Sequence, residues 1–307
     1  MHLLRGTFQA AGLMLLIQAA PCSLTAQARA PTTDPVTSDP SHPDSAHPAG
    51  LAELEIESMG ARMNGLFYLA SGLGPHPTVV LLHGFPGNER NLDLAQAIRR
   101  AGINVLFFSY RGAWGSGGTF SFANALEDVA AAVRFARSDE SARQYHTDPA
   151  RVVLLGHSLG GWLAILGAAA DSSIECTGAL DFWNVGADGR LFRTDHQRDS
   201  LFTAYTDWLT AQGGPLRAES GRALTSEIEA HAEAWNVDSS ARNLRTRPVL
   251  LISTTANPYR ATFIAALHGA GARNVTAFTW NSDHPFSALR IKLARTVVSW
   301  LHRSCGL

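Results

Sequence analysis

The chain has 307 residues, 46% of them apolar and 17% charged, so it is long enough and apolar enough to bury a large core. Its formal net charge is −1 at pH 7, and neither sign dominates a long block. That excludes the basic footprint of a nucleic-acid binder and the charge asymmetry of a chain made for an acidic partner.

In chain order, residues 1–28 come first. Arg5 gives a short positive start, residues 8–20 are mostly apolar, and Ala26-Gln27-Ala28 fits a small-residue cleavage site. This is the layout of a secretory signal peptide, and it predicts a periplasmic or secreted protein. The apolar stretch is shorter than the about 20 residues of a helical span, so no stable membrane span is expected after the signal is removed. Residues 29–50 are rich in Pro, Ser, Thr and Asp, with Val36 as the one large aliphatic. They are expected to form a disordered linker ahead of a folded domain at 51–307. Of the three cysteines, Cys22 would leave with the signal. Cys176 and Cys305 would then either pair in an oxidising compartment or remain two buried thiols.

Segments 52–57 and 65–70 read as a hairpin. After it, apolar β-branched runs alternate with stretches of helical spacing. Strands are predicted at 78–82, 104–109, 151–155, 174–180, 249–253 and 275–280. Helices are predicted at 89–101, 123–137, from 159 to about 170, at 260–270 and at 286–302. Such alternation builds right-handed βαβ units around a mostly parallel sheet with helices on both faces, an α/β fold. Residues 184–245 break the rhythm. They are polar, with helical pieces around 198–210 and 222–236, and read as a small helical cap inserted into the domain.

One junction in this pattern carries chemistry. Between RVVLL and an Ala-rich helix stands Gly156-His157-Ser158-Leu159-Gly160, the spacing G-x-S-x-G. Its glycines allow a sharp strand-to-helix turn that leaves Ser158 exposed at a helix N-terminus, where backbone N–H groups favour developing negative charge. On these residues the chain resembles the α/β-hydrolase family of serine hydrolases over about 78–303. The esterase and dienelactone-hydrolase-like branch and the peptidase-like branch both fit. The resemblance implies an oxyanion hole from the backbone N–H groups of Phe85, in His83-Gly84-Phe85-Pro86-Gly87, and of Leu159. It likens Ser109-Tyr110-Arg111-Gly112 to the loop after the fourth strand. It assigns the general base to His284, just before the final helix, and makes His83 and His157 hydrogen-bonded supports. A phosphate-binding reading of the glycine-rich segments fails, because no G-x-x-x-x-G-K-S/T occurs and Lys292 is the single lysine. No metal-ligand spacing is present and no cofactor is expected.

The acid is where the chain departs from the family. The loop after the strand at 249–253 reads Ser253-Thr254-Thr255-Ala256-Asn257-Pro258, without a carboxylate. Asn257 falls at the family's acid position. Asp181, at the end of the strand near 174–180, is the alternative acid, and Asp283 is a weaker third. The resemblance implies cleavage of a small-molecule carboxylic ester through an acyl-enzyme on Ser158. Phe182, Trp183 and Trp114, with Phe192, Phe202, Tyr205 and Trp208 of the cap, are candidates for the pocket wall. A peptidase or amidase of the same fold is the second reading. A hydrolase-like binding protein that lost its acid is the third.

Overall fold

The computed structural model describes residues 33–194 and 198–307. The segment expected to be a signal peptide, with Cys22, lies outside them. Eight strands form one sheet in the order β1-β2-β4-β3-β5-β6-β7-β8. The hairpin of β1 (Gly50–Ser58) and β2 (Ala61–Leu69) is antiparallel and pairs with β4 (Asn104–Phe108), also antiparallel. All other pairings, among β3 (His76–Leu82), β4, β5 (Thr147–His157), β6 (Thr177–Leu180), β7 (Val249–Thr254) and β8 (Val275–Trp280), are parallel.

The apolar strands feed two cores by alternation. Val80 and Leu82 of β3, Leu106 of β4 and Leu154 of β5 enter one. Val79, Leu81, Val105, Val153 and Leu155 enter the other. Side chains of period two must go to opposite faces, so a continuous apolar strand requires a helical layer on each side. One layer is α1 (Leu92–Arg100) and α10 (Arg290–Ser304). The other holds α2 (Phe122–Ala136), α4 (Leu159–Ala170) and α9 (Arg260–Gly269). A short helix, α3 (Asp139–Tyr145), precedes β5. Ser138 caps it by accepting from the Ser141 N–H at 3.0 Å.

The insertion folds as α5 (Val185–Thr194), α6 (Arg198–Gln212), α7 (Gly221–Ala230) and α8 (Val237–Leu244). Polar groups anchor it to the domain. The Glu227 carboxylate accepts from the Phe122 and Ala123 N–H groups at 2.9 and 3.0 Å, satisfying orphan donors at the start of α2. The Trp162 indole donates to the Trp235 carbonyl at 2.7 Å. The loop before α7 bridges to the loop after β4 at Ala113–Leu216 and Phe120–Ala218.

Residues 33–49, expected to carry too little apolar surface to order themselves, lie on the domain. Val36 is buried in the second core, and the Arg100 guanidinium donates to the Pro35 and Val36 carbonyls at 2.6 and 3.2 Å. Asp34 pairs with Arg295 at 2.6 Å. The binding comes from partners on α1 and α10, which composition of the segment alone does not reveal. Cys176 and Cys305 form a disulfide that ties the approach to β6 to the end of α10.

Candidate active site

β5 ends at His157 and α4 begins at Leu159, so Ser158 is the whole of the turn between them. Its backbone sits at φ 57°, ψ −118°, a conformation that L-residues adopt only under constraint. The constraint is visible. Ser158 N–H donates to the Leu180 carbonyl at 2.9 Å, and its own carbonyl accepts from the Gly161 and Trp183 N–H groups at 3.0 and 3.1 Å. A Cβ on Gly156 would run into the Gly160 carbonyl, and one on Gly160 into the Leu82 carbonyl. The two flanking glycines are therefore where three backbones meet, and the spacing seen in the sequence has a steric cause.

The loop after β3 crosses directly over this turn. A Cβ on Gly84 would lie 3.1 Å from Ser158 Cβ. The next residue, Phe85, lines the same cavity as Ser158. Its N–H donates to no protein acceptor among the described residues, and the Leu159 N–H, first in α4, has none within its helix. His83 packs on the Tyr110 ring at 4.2 Å, and the Tyr110 hydroxyl donates to the His83 carbonyl at 2.9 Å. Burial pushes the His83 imidazole down to about 4.

His284 follows β8. Its Nδ1 lies 2.6 Å from Asp181 Oδ2. Asp181 stands at the end of β6 with φ 42°. The Thr254 N–H at 2.8 Å, the Thr254 hydroxyl at 3.1 Å and Asn257 Nδ2 at 3.1 Å all donate to it. Burial alone would raise the Asp181 carboxyl; the hydrogen bonds from His284, Thr254 and Asn257 outweigh it and hold the group below its ordinary value. His157 Nε2 donates to the His284 carbonyl at 3.0 Å, and the two rings lie 4.5 Å apart. Burial, then the neighbouring His284, push the His157 ring down to about 4.

Asn257, at the family's acid position, does not reach the His284 ring. Its Nδ2 donates to Asp181 and to the Phe182 carbonyl at 2.9 Å. Its Oδ1 accepts from the Tyr259 and Arg260 N–H groups at 3.0 and 3.1 Å, at the start of α9. The amide oxygen is spent on the helix, and only its donor side faces the acid. Asp283 points elsewhere, accepting from the Ser287 N–H at 2.7 Å.

Ser158, Asp181 and His284 line one cavity of 690 Å³ with Phe85, Phe182, Trp183, Tyr205 and Trp208. No hydrogen bond yet joins the Ser158 hydroxyl to the imidazole among the described contacts, a contact that often tightens only around substrate. Trp114 is not in this wall; it donates to the Pro86 carbonyl at 2.7 Å and lies under Arg90. Phe192 is buried inside the cap against Phe202 and Tyr205. Among the lining residues that the sequence did not mark are Thr254, Tyr259 and Asp188. Each acts through a partner far away in the chain.

A mostly parallel sheet, a serine on a strand-to-helix turn and a histidine after the last strand define an α/β hydrolase. The comparisons agree: residues 79–290 match the alpha/beta hydrolase family, and the chain belongs to it. An uncharacterized protein of Mycobacterium tuberculosis is 31% identical over 136 residues, 44% of this chain and 45% of that one. An uncharacterized 31.7 kDa protein of Escherichia coli is 33% identical over 141 residues, 44% of this chain and 46% of that one. The chain thus spans about half the length of the curated relatives it matches. Among solved structures, Est1E from Butyrivibrio proteoclasticus with bound ferulic acid superposes with a TM-score of 0.63 at 18% identity, covering 83% of this chain and all of that one. The Pyrococcus furiosus esterase Pf2001 gives 0.57 at 18% identity, covering 83% and 91%. At this identity the likeness is one of fold. Among the described residues no helix is long and apolar enough to cross a membrane.

Proposed function

We propose that the protein is an exported serine hydrolase that cleaves carboxylic esters through an acyl-enzyme on Ser158. His284 takes the hydroxyl proton as Ser158 attacks the ester carbonyl. The oxyanion forms between the Phe85 and Leu159 N–H groups, and His284 then protonates the leaving alcohol. Water repeats the cycle on the acyl-enzyme, with His284 again as base. Asp181 holds the ring so that Nε2 is the basic nitrogen, and it stabilises the imidazolium as it forms.

The observation that carries this reading is the 2.6 Å contact between His284 Nδ1 and Asp181 Oδ2 on the wall of the cavity that Ser158 enters. A binding-protein reading rests on a missing acid, and the contact of the Asp181 carboxylate with His284 speaks against it. Two structures of similar fold, an esterase from Pyrococcus furiosus and the esterase domain of a Rhodothermus marinus protein, favour ester over peptide chemistry. The Cys176–Cys305 disulfide favours an oxidising compartment, in keeping with export. The test is hydrolysis of short-chain p-nitrophenyl esters by wild type and Ser158→Ala, with labelling by a serine-reactive phosphonate. Turnover and labelling that both vanish in the variant are expected. Unchanged turnover in Ser158→Ala overturns the proposal, and a clear preference for aminoacyl amides moves it to the peptidase branch.

A further inference from the structure

The cavity that Ser158 enters holds a second carboxylate with its own chemistry. Asp188 of α5 is buried, yet it lines this cavity. Its partners among the described residues are all neutral donors. The Tyr259 hydroxyl donates to Oδ1 at 2.7 Å, the Trp183 indole donates to Oδ2 at 2.5 Å, and the Tyr205 hydroxyl donates to Oδ2. No Lys or Arg is among them. A carboxylate oxygen accepts two hydrogen bonds comfortably, and Oδ1 has one protein donor, so it keeps room for a ligand.

Aromatic rings crowd around this carboxylate, several of them turning a polar edge to it. Trp183 and Trp208 meet edge to face with centroids 5.7 Å apart, Tyr205 lies 6.3 Å from Trp208, and Phe85 lies 5.6 Å from Trp208. Among the described residues, the carboxylates of the cavity wall are Asp181, Asp188 and Asp283, and no Lys or Arg lines it. A wall of this sign repels anionic substrates and draws in cations, and aromatic faces bind quaternary and protonated amines through their negative π-clouds. Burial pushes the Asp188 carboxyl up, and an arriving cation relieves that strain on the charged form.

We propose that Asp188, with Trp183, Tyr205, Trp208 and Tyr259, forms a subsite for an ammonium group, so that the preferred substrates are esters carrying a cation on the acyl or the alcohol side. This deepens the ester-hydrolase reading and rests on it for the word substrate. Tyr205 and Tyr259 come from the cap and from the start of α9, so Asp188 also fixes the geometry of the wall it belongs to.

The test uses isosteric pairs on the full chain. On the alcohol side the pair is butyrylthiocholine and its uncharged 3,3-dimethylbutyl thioester analogue. On the acyl side it is p-nitrophenyl 4-(trimethylammonio)butanoate and p-nitrophenyl 5,5-dimethylhexanoate. Wild type is expected to favour the cationic member of at least one pair by about tenfold in kcat/KM. Phenyltrimethylammonium, read by quenching of tryptophan emission, is expected to bind, while neutral tert-butylbenzene does not. In Asp188→Asn the cationic-to-neutral ratio should fall toward one and the quenching should disappear. Should that variant fail to fold, the wild-type ratios and binding still decide. Brisk turnover of the neutral esters, with no cationic preference in either pair, overturns the subsite and leaves the hydrolase standing. Asp188-dependent binding of the cation without turnover of any ester does the reverse: the subsite stands and the ester reading falls.

Discussion

Asp181 and His284, 103 residues apart in the chain, are joined by a 2.6 Å hydrogen bond, and Asn257 donates to the same carboxylate at 3.1 Å. The two candidates for the acid are thus stacked one behind the other: the aspartate faces the ring and the asparagine faces the aspartate.

That arrangement predicts that two simple substitutions both lower turnover, each by a different route. Asp181→Asn should lower kcat by about 10⁴ while leaving the far-UV circular dichroism unchanged, because the ring loses its tautomer and its counter-charge. Asn257→Asp should lower turnover as well. It sets a second carboxylate against Asp181 and removes the donor that both Asp181 and the Phe182 carbonyl use. A marked rise in kcat for Asn257→Asp, with little effect of Asp181→Asn, would falsify the assignment.

The two buried histidines make stability fall on acidification. His83 and His157 each titrate near 4 in the folded protein against an ordinary value of 6.5. Above about 6.5 neither state takes the proton, and stability is at its full value. Between about 6.5 and 4 the unfolded chain binds protons that the folded one refuses. Stability then drops as pH drops, by up to about 1.4 kcal/mol per pH unit for each ring. Urea midpoints from pH 7.5 to 5 measure the slope. His157→Gln, which keeps a donor for the His284 carbonyl, should flatten it. An equal slope in both proteins would mean that His157 does not contribute.

Much of this fold could be read from periodicity, and the misses have physical causes. The six runs of strand type and the G-x-S-x-G turn stand where local pattern puts them, since buried parallel strands are apolar throughout and the turn needs its glycines. The final helix starts at Arg290 rather than at 286, because Phe286 takes a left-handed conformation and a 3₁₀ turn follows it. α3, α5 and α8 are short and mixed in polarity, and packing and capping define them more than propensity does. In the site, Ser158 and His284 are marked by position relative to strands. The choice between Asp181 and Asn257 is not, because it depends on which end of an amide points at α9. Asp188 is harder still: its partners Trp183, Tyr205 and Tyr259 sit in three separate segments, and no local spacing links them.

The disulfide makes a prediction that is independent of catalysis. Alkylation should add no mass to Cys176 or Cys305 until the protein is reduced, and then two additions should appear. A Cys176→Ala, Cys305→Ala double variant should lose about 2–4 kcal/mol in denaturant unfolding, since the bridge closes a sequence separation of 129 residues in the unfolded chain. Its kcat with p-nitrophenyl esters should hold, because neither cysteine lines the cavity. Two thiols that alkylate freely in the native protein would refute the bond.

The turn at Ser158 can be probed without touching its hydroxyl. Gly160→Ala would drive a methyl group into the Leu82 carbonyl, on the strand that carries the loop over Ser158. Ordinary core overpacking costs about 1–3 kcal/mol, and here the obstacle is backbone that cannot rotate away, so the upper end or beyond is expected. For a domain of this size that lowers the melting temperature by at least about 5 °C. Activity should fall further than the folded fraction does, because the shift displaces Ser158 and the Phe85 N–H relative to each other. Gly269→Ala is the matched control: nothing lies within 4 Å of its new methyl, and it sits at the end of α9. If Gly160→Ala melts and turns over like that control, the steric account of the turn is wrong and the two glycines answer to something other than crowding.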